Sequence, residues 1–224
     1  MSSAKTSKYP RALVITRVIS LLSISVLLFY YGFSDATFKF FVYMTHWGMM
    51  LTFTYFLLAV LNYLLYYIDS AVTHLFLVIW GFNWVITISF WCYLVPASGL
   101  INVIRGSSTH SVPLILTLID FSLNKIKFER GKFIIVLAVL TSYFLTCLLP
   151  YTLSVKPIYY GINFENFASY AMAFANFLLV IISLELGRLL RNKIDESDRS
   201  KEPRIEENED NDENYQPLLV IVKN

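Results

Sequence analysis

Residues 11–33 read RALVITRVISLLSISVLLFYYGF, and this stretch decides the fold class. Past its first residue the run carries a single charge, Arg17. A helix needs about 20 mostly apolar residues to cross the hydrocarbon core of a bilayer. The run is too long for the apolar core of a secretory signal and has no small-residue cleavage site, so it reads as a retained span. Arg17, about one and a half turns in, is expected to snorkel to the nearer surface.

Working outward, five further apolar runs follow, at about residues 39–68, 71–95, 107–123, 132–149 and 166–190. The pattern predicts an all-α polytopic membrane protein with about six transmembrane helices. The fourth run is short and holds Pro113 and Asp120, which makes it the weakest span. The second is long enough for one end to project into the headgroups. The expected organisation is a cytosolic N-terminus at 1–10, a six-span membrane domain at 11–193 and a disordered acidic cytosolic tail at 194–224.

Composition agrees. The chain is 56% hydrophobic and 15% charged, against about 25% charged in soluble domains. Ten of its sixteen acids fall between Asp195 and Glu213. The remainder holds fourteen bases against six acids, so a basic membrane part precedes an acidic tail. The tail, polar and poor in aromatics, is expected to be disordered and is the natural arm for a protein partner.

Several function classes are excluded. The two cysteines, Cys92 and Cys147, lie in apolar runs and form no CxxC pair. The three histidines, His46, His74 and His110, are too scattered to suggest a zinc site. There is no Walker loop, dinucleotide fingerprint, GxSxG elbow or HExxH. No metal or nucleotide cofactor is implied. The basic surplus sits at helix ends, which argues against a nucleic-acid partner.

Basic residues set the expected orientation. With six spans, one side collects eleven of them, including Lys125, Lys127, Arg130, Lys132, Arg188, Arg191 and Lys193; the other collects Lys39, Arg105 and Lys156. The positive-inside rule then puts both termini in the cytosol.

Polar residues inside spans need partners, so they carry the most information. Asn83 and Thr87 share a face of the third span, and Ser169, Asn176 and Ser183 form a stripe on the sixth; both read as interhelical packing. Glu185 is placed to pair with Arg188. His74 lies near a cytosolic loop and reads as solvated. Thr45 lies about 9 Å into the second span and His110 about 5 Å into the fourth, both counted from the non-cytosolic side. A hydroxyl and an imidazole at similar depth are a candidate nucleophile and base. Asp120, ten residues beyond His110, is about 15 Å away along one helix and cannot complete a triad with it.

The segment Phe38-Lys39-Phe40-Phe41-Val42-Tyr43-Met44-Thr45 resembles the start of the second span in the androgen-induced-gene family. His110-Ser111-Val112-Pro113 through Leu118-Ile119-Asp120 resembles the family's histidine followed ten residues on by an acid. Pro157-Ile158-Tyr159-Tyr160-Gly161-Ile162-Asn163-Phe164 resembles its aromatic segment before the last span, and Ser183-Leu184-Glu185 its glutamate near the end of that span. The likeness runs from about residue 10 to 193. The family's members of known activity hydrolyse fatty acid esters of hydroxy fatty acids with a threonine and a histidine. Carried over by motif, those roles fall on Thr45 and His110. Three departures stand out: Tyr160 in place of a proline, Asp120 in place of a glutamate, and His46-Trp47-Gly48, which looks more like the rolling-stone branch linked to cell fusion.

Two readings follow. One is an integral-membrane hydrolase of lipid esters with Thr45 as nucleophile and His110 as base, its partners being the bilayer and a lipid ester; His46 and Ser111 are candidate oxyanion donors. The other is a non-enzymatic membrane interaction or fusion protein of the rolling-stone type. A transporter is disfavoured, because only Asp120 and Glu185 are carboxylates within spans and no span is interrupted by Gly or Pro at mid-depth.

Overall fold

The computed structural model describes residues 10–34, 41–65, 68–95, 100–155, 159 and 164–200. The extreme N-terminus, Lys39, Lys156, Tyr160 and the chain beyond Ser200 lie outside the described residues. Every regular element among the described residues is helical. In chain order these are α1 (Arg11–Ser34), α2 (Met44–Leu65), α3 (Asp69–Ser89), α4 (Leu100–Leu123), α5 (Phe133–Tyr143), α6 (Leu149–Ser154) and α7 (Phe167–Arg199). A π-helical turn, Phe90–Leu94, extends α3, and another, Phe144–Leu148, joins α5 to α6. The second lies just ahead of Pro150 at the start of α6. Proline has no N–H for the helix ladder, and π turns recur where the ladder has to be re-phased.

Five helical stretches are long and apolar enough to cross a bilayer: Arg11–Tyr31, Met44–Tyr63, Asp69–Cys92, Arg130–Ser154 and Phe167–Arg199. The stretch expected to be weakest, α4, is a 24-residue helix but falls short in apolarity. Its first half runs Arg105-Gly106-Ser107-Ser108-Thr109-His110-Ser111. Pro113 does not break it.

α3 lies at the centre. In its most apolar stretch 61% of residues are buried, against 22% for α1 and for α7. It packs on α2, α4, α5 and α7, while α1 lies across α2 and α4. Trp80 anchors this centre, fully buried among Phe76, Phe121 and Phe128, with its indole N–H donating to the Ser183 carbonyl at 2.7 Å. The outer helices turn apolar side chains outward, Phe29, Phe174 and Ile182 among them, as a lipid-facing surface requires.

Of the stripe on α7, the Asn176 side chain bonds another helix, whereas the Ser183 hydroxyl turns back to the Val180 carbonyl of its own helix. Asn176 accepts from Ser89 at 3.0 Å, the Ser183 carbonyl holds Trp80, and Ser169 closes an N-cap on Asn166. Two further details differ from expectation. α7 continues to Arg199, past residue 194 where the disordered tail is expected to begin, and Ile194 packs against the core. Arg17 does not snorkel. It is buried and ion-paired with Asp120, because α1 turns that face toward α2 and α4 rather than toward a surface.

Candidate functional site

Thr45 is the second residue of α2. The helix start is tied down by aromatic residues. The Met44 N–H donates to the Tyr159 hydroxyl at 2.8 Å, the Tyr143 hydroxyl donates to the Val42 carbonyl at 2.8 Å, and the Trp47 indole donates to the Phe41 carbonyl at 2.7 Å. Thr45 therefore projects from an anchored helix N-terminus, where the helix dipole favours negative charge.

His110 lies midway along α4 and is brought to Thr45 by the packing of α2 on α4. Thr45 Oγ1 and His110 Nδ1 are 3.3 Å apart, although 65 residues separate them in sequence. Both side chains are half-buried. With the ring proton on Nε2, Nδ1 accepts from the threonine hydroxyl, the direction a general base requires.

The π turn at the end of α3 fixes the imidazole. Phe90 stacks on it with centroids 4.2 Å apart and planes 9° from parallel. The ring fits because residue 106, one turn before His110, is glycine: a Cβ there would lie 2.6 Å from Phe90 Cε2. The Thr87 hydroxyl donates to the His110 carbonyl at 2.5 Å, and the Trp91 indole donates to Ser111 Oγ at 3.0 Å. So Thr87, Phe90 and Trp91 hold residues 110 and 111 from α3, and π turns concentrate at such places.

Below this pair a polar seam continues between α2, α3 and α4. Asn83 Nδ2 donates to Thr52 Oγ1 at 3.0 Å and to Thr117 Oγ1 at 2.9 Å, and reaches the Pro113 carbonyl at 3.3 Å. Lower still, Asp120 accepts from Arg17 Nε at 2.9 Å, from the Tyr55 hydroxyl at 2.6 Å and from Asn124 Nδ2 at 2.7 Å. Arg191 of α7 closes the network, donating to Asn124 Oδ1 at 3.0 Å and to the Phe121 carbonyl at 2.6 Å. His110, Pro113, Thr117 and Asp120 recur every three or four residues on α4, with Asn124 next in the series just past its end, as do Thr45, Gly48, Thr52 and Tyr55 on α2. Asp120 is thus committed to Arg17, Tyr55 and Asn124, and no carboxylate backs His110 among the described residues.

Of the other sequence candidates, His46 turns its ring toward Tyr43, with centroids 5.7 Å apart. Ser111 has taken the Trp91 N–H, which leaves its own hydroxyl proton to donate. Glu185 bonds Arg188 at 2.7 Å, as its spacing suggests, and also Arg130 at 2.7 Å. Sequence reasoning missed Phe90, Tyr55 and Asn124. The period-3/4 recurrence on α4 was the available signal for Asn124; nothing in the sequence singled out Phe90.

Compared with known proteins, the chain matches no family model, no curated protein and no solved structure.

Proposed function

We propose that this chain is a six-span integral-membrane hydrolase of lipid esters, acting on fatty acid esters of hydroxy fatty acids or similar molecules in the manner of the androgen-induced-gene family. The observation that carries the reading is the 3.3 Å contact between Thr45 Oγ1 and His110 Nδ1. Thr45 Oγ1 attacks the ester carbonyl carbon, and its proton passes to His110 Nδ1. As the tetrahedral intermediate collapses, the imidazolium returns the proton to the leaving hydroxyl of the hydroxy acid. Water, deprotonated by the same nitrogen, then cleaves the acyl-threonine and regenerates the enzyme. The N-terminus of α2 favours the oxyanion through its dipole. α4, polar in its first half and packed on α1, α2 and α3, completes the six as the fourth span in chain order, with Ile115 and Ile119 turned outward. Both termini are cytosolic by the distribution of basic residues.

The second reading is an interaction or fusion protein without catalysis. It is favoured by the lack of a carboxylate behind His110 among the described residues, which leaves the imidazole without the usual orienting acid. A fluorophosphonate probe separates the two. The hydrolase reading expects labelling of the purified wild-type chain at Thr45 and none in Thr45→Ala. Absence of wild-type labelling, together with no turnover of any lipid ester, would leave the interaction reading standing.

A further inference from the structure

A cavity of about 570 Å³ opens where the N-terminal ends of α1 and α3 meet the C-terminal end of α4. Its volume lies within the range of about 300–1,000 Å³ typical of small-molecule sites. It belongs to the face of the bundle on which bases collect, the far end of the polar seam from Thr45. Four cations line it, Arg17, Lys125, Lys127 and Lys132, against two acids, Asp69 and Glu129.

Most of these charges are committed. Arg17 is paired with Asp120, Lys132 with Glu129 at 3.0 Å, and Asp69 accepts from Asn62 at 2.5 Å. Lys125 and Lys127 have no acidic partner among the described residues, and both are exposed. Their backbone is nevertheless fixed. Between them the Ile126 N–H donates to Asn124 Oδ1 at 2.9 Å, and Asn124 is itself bonded to Asp120 and Arg191. The two lysines are therefore presented at the mouth of the cavity by a rigid segment. Part of the wall is apolar, made by Leu13, Val72 and Leu123.

We propose that this cavity binds a phosphate-bearing anion, and that the headgroup of an anionic phospholipid is the occupant its shape favours. Two uncommitted ammonium groups at a membrane edge attract phosphate, at about 1 kcal/mol for each lysine near an anionic surface. The apolar wall accepts the glycerol and first methylenes that a free ion lacks. The inference needs only the membrane-spanning arrangement and does not depend on whether Thr45 is a nucleophile.

The test is thermal unfolding of the full chain in neutral detergent, titrated separately with dioctanoyl phosphatidylinositol 4-phosphate, inorganic phosphate and dioctanoyl phosphatidylcholine. The phosphoinositide should raise the midpoint and phosphatidylcholine should not. Lys125→Gln with Lys127→Gln should weaken the phosphoinositide effect about tenfold or more, while Lys193→Gln, a base at a similar level outside the cavity, should not. An equal rise with inorganic phosphate keeps the phosphate site and assigns it to a soluble ion. The proposal is overturned if the double lysine variant responds like wild type, or if Lys193→Gln costs as much, which would mean diffuse surface attraction. It is equally overturned if the wild type ignores every phosphate ligand, as it would were the cavity occupied by the chain's own acidic tail.

Discussion

Arg17 and Asp120 form an ion pair of 2.9 Å between α1 and α4, with side chains 6% and 0% exposed. Asp120 is the hub of a network that also ties in α2 through Tyr55 and, by way of Asn124 and Arg191, α7. Truncating one partner of a buried pair strands the other charge and costs about 3–5 kcal/mol, whereas replacing both with apolar groups is often neutral. Asp120→Asn should therefore lower the unfolding midpoint markedly, and adding Arg17→Met, which removes the stranded guanidinium while the amide oxygen at 120 still accepts from Tyr55, should recover part of the loss. A thermal midpoint unchanged by Asp120→Asn would show the pair to be unimportant for stability.

The Thr45–His110 contact predicts a graded series in lipid ester hydrolysis. Thr45→Ala should abolish turnover. Thr45→Ser should keep part of it, since the hydroxyl remains but its rotamer is less restrained. His110→Ala should lose about 10²–10⁴-fold, the range of a general base. All three should purify in wild-type yield. Wild-type turnover by Thr45→Ala would sink the nucleophile assignment.

Phe90 positions the imidazole, so a residue that never touches substrate should still matter. Gly106→Ala puts a methyl 2.6 Å from Phe90 Cε2, and the stacked His110 ring must shift with it. A misplacement near 1 Å costs about 100-fold in rate. The loss should fall on kcat, and Phe90→Leu in the Gly106→Ala background should restore part of it by making room for the methyl. If the second change deepens the loss, the stacking argument is wrong.

The end of α7 gives a boundary prediction. Deleting residues 201–224 should leave the unfolding midpoint unchanged. Deleting from Ile194 should lower it, because Ile194 packs against the core and α7 runs to Arg199. Equal midpoints for the two truncations would remove any role for that last turn and a half.

Orientation can be read from sealed vesicles. With six spans, the eleven-to-three split of basic residues predicts that protease cuts the acidic tail from the cytosolic face alone. Protection of the tail would invert the arrangement of the whole bundle.

The sequence by itself determined the helices and their apolar character, because length and hydropathy are local properties that a bilayer reads one segment at a time. It marked α4 as the weak span from Pro113 and Asp120, and it singled out Thr45 and His110 by depth, since rise per residue converts position into height. Only the tertiary structure decided azimuth, the direction each helix face points, and azimuth separates partners from strangers. Height alone sent Arg17 to the surface. The rotation of α1 against α2 and α4 turned it inward onto Asp120 instead. Height also could not reveal that Phe90, from a π turn, would stack on His110 over the gap left by Gly106. Those contacts join residues on different helices, and no periodicity within one helix encodes the rotation of its neighbour.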